Sequence, residues 1–180
     1  MERVTTRQLQ DDQIRCARSG FSVAAQTPAA ATRIYITGSA IAIPATGLRI
    51  GNVFHWKFNL TKTAAGVAAS TFDVCVGTAG TTADTARVSF TKPAGSAAVD
   101  EGWVEITVTV RSIGATGVMR GELTMIHNLA ATGHMVIPCC CVGVTSGAID
   151  MTTADLIFGV CITSGAADAI TIQQVVAEVR

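Results

Sequence analysis

Between residues 53 and 60 the side chains alternate between apolar and polar types with a period of two. One set comprises Phe54, Trp56, Phe58 and Leu60, and the other comprises His55, Lys57 and Asn59. Because successive side chains of a β-strand point to opposite faces of the sheet, this pattern predicts a strand with one face in a core. The same alternation recurs at residues 72–76 and 104–111.

After residue 31 roughly eight to ten such runs follow one another, rich in Ile, Val and Thr and separated by turns rich in Gly, Ala and Asp. No run has the period of an amphipathic helix, and parallel α/β folds need helices between their strands. The pattern therefore predicts an all-β fold, an antiparallel two-sheet β-sandwich of jelly-roll-like form. An immunoglobulin-like sandwich is the alternative, but its Cys…Trp…Cys signature is absent.

Residues 1–31 differ from the rest in composition, because charges of both signs alternate there before a stretch rich in Ala, Thr and Pro. We expect an N-terminal arm at 1–31 that is ordered against a neighbouring subunit, and a β-sandwich domain at 32–180. A frayed terminus is the alternative, and a short helix over residues 6–18 is compatible with either. The arm carries the candidate interface residues Arg3, Arg7, Arg15 and Arg18, whose guanidinium forks pair well with carboxylates; a solvated face explains them equally well.

Charged residues make up 14% of the chain, against about 25% in average globular domains. This scarcity predicts that other chains cover part of the surface, most simply in a homo-oligomer or a larger shell. The formal net charge is zero, which argues against nucleic acid as a partner, because phosphate binding needs a basic surface. No apolar run is long enough for a membrane span, and the N-terminus does not resemble a signal peptide.

Two segments, residues 136–144 and 156–163, carry small or apolar side chains at nearly every position. A sandwich strand with water on one face should alternate. These strands are therefore expected to be covered on both faces, either by a second subunit or by the chain itself.

Histidine and cysteine are the only candidates for a metal site. His127 and His134 flank a turn and could approach each other across a hairpin, but no third ligand lies at motif spacing. Cys139 and Cys141 would share one face of a strand, and no C-x-x-C pair occurs. We therefore expect buried free thiols, no metal and no cofactor.

The sequence contains no nucleophile elbow and no phosphate-binding loop, so we expect no enzymatic activity. Asp100 and Glu101 are predicted in a loop beside Trp103, an arrangement that hints at sugar binding. A lone Trp at an edge is also common as a core or interface plug. Trp103 and Tyr35 are the only plausible aromatic platforms, and Trp103 is the fifth candidate interface residue.

Three turn motifs lie within residues 43–91: TKTAAG at 61–66, GTAG at 77–80 and ADTAR at 83–87. With the strands between them they resemble a pattern of tailed-bacteriophage virion proteins, over about a third of the chain. The resemblance implies a jelly-roll-like module that trimerises, in proteins that decorate capsids or form head and tail fibres.

On these grounds the first hypothesis is a non-enzymatic phage virion structural protein, most simply a capsid decoration or cement protein. It would bind the major capsid protein or another virion protein as a homotrimer, after assembly in the host cytoplasm, and a small-molecule ligand is not expected. The alternatives are a fibre or receptor-binding module that binds carbohydrate, and a minor tail or tail-tube component.

Overall fold

The computed structural model describes residues 20–45, 47–65, 67–129, 132–135, 139–152, 154–165 and 170–180. In this part of the chain eleven strands follow one another: β1 (Gly20–Ser22), β2 (Arg33–Tyr35), β3 (Ile41–Ile43), β4 (Val53–Lys62), β5 (Ser70–Gly77), β6 (Thr85–Lys92), β7 (Asp100–Ser112), β8 (Val118–His127), β9 (Cys139–Thr145), β10 (Leu156–Thr163) and β11 (Ile170–Val179). No helix among these residues is long and apolar enough to cross a lipid bilayer.

The strands form two antiparallel sheets. One has six strands in the order β1-β11-β4-β7-β8-β9, and the other has the order β2-β10-β5-β6, with β3 also pairing with β10. After β4 the chain passes between the sheets four times, as in a jelly roll. The predicted all-β two-sheet sandwich is confirmed.

The alternation of β4 places its apolar side chains in the core between the sheets. Phe54 stacks on Phe158 of the opposite sheet with ring centroids 4.2 Å apart, and both rings are fully buried. Trp56 is also fully buried, and its indole N–H donates to Ser39 O at 2.7 Å. Burial of each such side chain contributes about 1.5–3 kcal/mol to the free energy of unfolding. A shift of β4 by one residue would lose these contributions, so they specify which face of β4 points inward.

Strand β10 lacks alternation because the chain itself covers both of its faces. Phe158, Val160 and Ile162 point into the core, while Cys161 on the opposite face is equally inaccessible. Tyr35 of β2 lies over that outer face, since its hydroxyl would lie 1.8 Å from a Cβ added at Gly159. The prediction that both faces of β10 are covered is therefore met by the chain itself, without a second subunit. The side chains of Cys139, Cys140 and Cys141 in β9 lie outside the described residues.

Residues 20–31 run along the sandwich. β1 pairs with β11 at the edge of the six-stranded sheet. The Gln26 side chain binds the backbone of Thr37 in both directions, donating from Nε2 to O at 3.0 Å and accepting from N at 2.8 Å. The arm arginines Arg3, Arg7, Arg15 and Arg18 lie outside the described residues, and the division at residue 31 stays a prediction.

Candidate functional site

Trp103 belongs to β7 and lies on the outer face of the six-stranded sheet, where β7 runs between β4 and β8. The register places it opposite Asn59 of β4 on one side and Ile126 of β8 on the other. Its indole is half-buried, whereas the next side chain along β7, Val104, is fully buried in the core. Trp103 is therefore a surface aromatic held by the sheet on both sides, and not a core plug.

An open depression of about 420 Å³ lies beside the indole. It is lined by Asn59, Glu101, Gly102, Trp103, Ile126, His127 and Asn128. Its volume falls within the range of about 300–1,000 Å³ that is common for small-molecule sites. A Cβ at Gly102 would lie 2.6 Å from Ile126 O, so glycine is what allows β7 and β8 to approach each other closely at its floor.

A cation lies against the indole. Lys57 Nζ lies 4.5 Å from the ring centroid, and Lys57 is opposite Glu105, two residues along β7 from Trp103. Such a contact contributes about 0.5–1 kcal/mol at an exposed site. Lys57 lies towards Glu105 and the depression lies towards Glu101, so the two approach Trp103 from different directions along β7.

The lysine belongs to a row of ionisable groups on the outer face of the sheet. Lys57 Nζ lies 4.0 Å from Glu105 Oε1, which in turn lies 3.5 Å from His55 Nε2. His55 Nδ1 lies 3.1 Å from Glu178 Oε1 on β11. Hydrogen bonds from the neighbouring Arg180 and from His55 lower the pKa of Glu178, although burial acts in the opposite direction.

Beneath the depression Asp100 holds the backbone that carries Asn128. The expectation that Asp100 and Glu101 lie in a loop is wrong: both belong to β7, because their backbone pairs with β4. Asp100 is buried, and its Oδ2 accepts from His127 Nδ1 at 2.7 Å and from His134 N at 2.8 Å. Its Oδ1 accepts from the backbone N–H of Leu129 at 3.3 Å.

These donors determine the charge state of Asp100. Desolvation raises its pKa, but the hydrogen bonds from the backbone and from His127 outweigh it, so the net pKa is lowered. Asp100 is therefore ionised in the folded protein, and its two oxygens connect β7 to the segment that follows β8.

Two buried lysines brace the same end of the sandwich. Lys92 Nζ donates to the carbonyls of Pro93 and His134, both at 2.9 Å. Lys62 Nζ donates to the carbonyls of Thr63, Ser96 and Ala98 at 2.7 to 2.9 Å. Backbone oxygens thus take the place of the water that would hydrate each ammonium, which is the condition for burying a charge. The same hydrogen bonds connect the loops around the depression.

The predicted approach of His127 and His134 across the hairpin is confirmed, with ring centroids 6.3 Å apart. Neither ring nitrogen of His134 has a hydrogen-bond partner among the described residues. Desolvation lowers the pKa of His134 to about 4, and the nearby Lys92 acts in the same direction while Asp100 opposes it. Within the described part of the chain, no three His, Cys, Asp or Glu side chains gather in a way that could hold a metal ion.

Tyr35, the second predicted platform, lines a different depression, of about 450 Å³, together with Gly80 and Thr82. It lies on the outer face of the five-stranded sheet, and its hydroxyl is buried. Burial raises its pKa.

The amides of Asn59 and Asn128 were not among the residues predicted from the sequence. The alternation of β4 already placed Asn59 outward, but no local sequence pattern marks Asn128.

An indole beside an open depression rimmed by two amides and a carboxylate has a definite chemical capacity. The ring face is the negative end of a quadrupole and attracts polarised C–H groups. Asn59 and Asn128 each offer a donor and an acceptor, and Glu101 offers acceptors. The arrangement suits a ligand with an apolar face of C–H groups and a rim of hydroxyls.

No protein-family model matches the sequence, and no curated protein matches it either. Among solved structures, the lectin UEA-II complexed with galactose is 9% identical over 91% of this chain and 93% of that chain, with a TM-score of 0.41. The CBM2 module of the evolved Dit of Lactobacillus casei BL23 phage J-1 is 11% identical over 89% of this chain and 96% of that chain, with a TM-score of 0.30.

The lectin from Bauhinia forficata in complex with GalNAc is 11% identical over 92% of this chain and 93% of that chain, with a TM-score of 0.36. At such identities and TM-scores these similarities assign no ligand and no partner to this chain.

Proposed function

We propose that this chain is a non-enzymatic carbohydrate-binding module whose ligand lies in the depression beside Trp103. The observation that carries the proposal is the half-buried indole beside a depression of about 420 Å³ with Asn59, Asn128 and Glu101 at its rim. A pyranose has an apolar face of C–H groups and a rim of hydroxyls, so it matches both parts of this surface.

The site is also preorganised. Lys57 and the flanking strands hold the ring, and Asp100 fixes the backbone next to Asn128. A ligand therefore meets groups that are already in position, which lowers the entropic cost of binding.

A second candidate function is assembly into a virion, and a different surface favours it. Phe21 and Val23 are 76% and 77% exposed, and Phe21 is directly opposite the partly exposed Val176 of β11. A cluster of exposed apolar side chains at a sheet edge is a common feature of interfaces. From this patch and the low proportion of charged residues, we propose an interface with copies of this chain or with a capsid protein. A trimer bound to a capsid is one form of this second candidate function.

One crossed experiment tests both candidates. Wild type, Trp103→Ala and Phe21→Ala are compared on a glycan array, and binding to the strongest glycan is then measured by calorimetry. We expect Trp103→Ala to weaken binding at least about tenfold, since ten-fold corresponds to about 1.4 kcal/mol and an aromatic contact contributes about that much. Phe21→Ala is the matched control, because it removes an exposed ring of the same sheet far from the depression.

The same three proteins are examined by light scattering. Assembly through the apolar edge predicts that wild type and Trp103→Ala have the same mass and that Phe21→Ala is smaller. Binding of no glycan by wild type, or equal binding by wild type and Trp103→Ala, contradicts the carbohydrate proposal. A monomeric wild type that also fails to bind capsids contradicts the assembly candidate.

A further inference from the structure

Two cysteines on the outer face of the five-stranded sheet lie in direct contact. Cys75 of β5 is opposite Gly159, and Cys161 of β10 is opposite Asp73, so the two are diagonal neighbours on adjacent strands. Their sulfur atoms are 2.8 Å apart, and both side chains are fully buried. A disulfide has an S–S distance of about 2.0 Å, so the sulfurs need to approach by less than about 1 Å.

The surroundings distinguish the two thiols from each other. Arg33 Nη2 donates to Cys75 Sγ at 3.0 Å, and Arg33 Nε lies 3.3 Å from Asp73 Oδ2. The hydrogen bond with Cys161 lowers the pKa of Cys75, and Arg33 adds to this effect although burial opposes it. The same hydrogen bond raises the pKa of Cys161, as burial also does.

These thiols therefore have different roles in any oxidation. The thiolate, not the thiol, is the nucleophile, and the neighbouring guanidinium favours the thiolate at Cys75. Cys161 keeps its proton and lies within reach of whatever forms on Cys75.

We propose that Cys75 and Cys161 are a redox modification site at which a peroxide converts the two thiols into a disulfide that joins β5 to β10. The observations behind this site are the sulfur contact, its burial and the Arg33 contact. They are independent of the glycan surface and of the apolar edge.

The reaction balances with one peroxide. The Cys75 thiolate attacks a peroxide oxygen, an S–O bond forms as the O–O bond breaks, and hydroxide leaves, so that Cys75 becomes a sulfenic acid. Cys161 then attacks the Cys75 sulfur, an S–S bond forms as the S–O bond breaks, and the thiol proton leaves with the oxygen as water. The two cysteines together lose two electrons, and the peroxide is reduced to water and hydroxide.

The fold provides a route for a small oxidant. The side chains of Arg33 and Tyr35 lie over this part of the sheet, and both belong to the three-residue edge strand β2. Local opening of a short edge strand needs much less free energy than global unfolding, and hydrogen peroxide is small enough to use such an opening.

The test uses the full chain, treated with hydrogen peroxide and then denatured in the presence of an alkylating reagent. Digestion with a protease that cleaves before aspartate gives peptides 73–83 and 155–167, each with one cysteine and no methionine. We expect mass spectrometry to find these two peptides linked, with two hydrogen atoms missing, and to find them separate after reduction.

Three variants give this test its controls. In Cys161→Ser, Cys75 should stop at the sulfenic acid, which dimedone traps; in Cys75→Ser, Cys161 should stay unmodified. Arg33→Leu should slow linkage several-fold, whereas the exposed Arg111→Leu of the other sheet should not. The proposal is overturned if Cys75 is oxidised without linkage, if it links to another cysteine, or if Cys161 reacts equally fast in Cys75→Ser.

Discussion

Gly159 is the residue that lets Tyr35 lie across β10 and cover the cysteine pair. A Cβ at this position would lie 1.8 Å from the Tyr35 hydroxyl oxygen and 2.3 Å from Cζ. The obstructing atoms are the far end of a side chain on an edge strand. The substitution Gly159→Ala can thus be accommodated by displacement of the ring, and the sheet itself can remain intact.

We predict that Gly159→Ala uncovers Cys75 and Cys161. Because the Tyr35 ring must move, a thiol reagent should label these two cysteines at least several-fold faster than in wild type, at a stability cost of about 1–3 kcal/mol. Labelling is followed by peptide mapping, and stability by urea unfolding.

Gly147→Ala is the matched control, since a Cβ there meets no atom within 4 Å. It should leave both the labelling rate and the unfolding midpoint unchanged. If Gly159→Ala labels no faster than wild type, Tyr35 does not protect the pair.

Single residues also show where sequence reasoning succeeds and where it stops. The inward direction of Phe54 and Trp56 follows from alternation alone, because the strand period is local. That Asp100 binds His134 follows only from the pairing of β7 with β8 and from the return of the chain after β8. Such contacts join positions distant in sequence and leave no periodic signal, so the sequence suggested a loop at Asp100 where the structure has a buried carboxylate.

At the scale of elements, β1 is short but covers the edge of a ten-residue strand. Its three residues pair with Ala177, Val176 and Val175 of β11. Without β1, the unpaired backbone groups of β11 would be exposed, and such edges promote pairing between molecules. A truncation that tests the arm must therefore end before Gly20.

We predict that removal of residues 1–22 and removal of residues 1–19 have different consequences. The longer deletion takes β1 away, so its protein should unfold at lower urea concentration and self-associate more than the protein with the shorter deletion. Urea unfolding and light scattering measure the two effects. Indistinguishable behaviour of the two truncated proteins would show that β1 contributes nothing to the sheet.

The strands also explain why the jelly-roll-like sandwich could be predicted from the sequence but the depression beside Trp103 could not. The run at 156–163 indicated a strand buried on both faces, and β10 is such a strand. The depression, in contrast, depends on which strands neighbour β7. Only the pairing of β4, β7 and β8 brings Asn59, Trp103 and Ile126 into one row, and the strand patterns of the sequence do not specify that order.

At the scale of the whole molecule, the end of the sandwich that carries the depression contains a buried histidine that makes stability depend on pH. His134 is fully buried there beside Asp100, Lys92, Lys62 and His127. Its pKa is lowered from 6.5 to about 4 by burial and by the nearby cations. In the unfolded chain it takes up a proton near its ordinary pKa, whereas in the folded protein it stays neutral until the pH is much lower.

The sign of the resulting pH dependence follows directly. Between about pH 6.5 and 4 the unfolded state binds the proton of His134 and the folded state does not. The free energy of unfolding therefore falls as the pH falls, by up to about 3 kcal/mol for a shift of this size. The pKa of Asp100 is also lowered, so its protonation at still lower pH removes further stability in the same direction.

We predict that His134→Leu flattens this dependence. The substitution removes the group that titrates, and it places a side chain of apolar character where the ring nitrogens of His134 have no hydrogen-bond partner among the described residues. Urea unfolding of wild type and variant at a series of pH values between neutral and about pH 4 measures the slope of stability against pH. The slope, and not the absolute stability, decides the outcome, so a general cost of the substitution does not affect the test. A variant that loses stability with acid as steeply as wild type would show that another group is responsible, and the Asp100–His127 pair would be the next to replace.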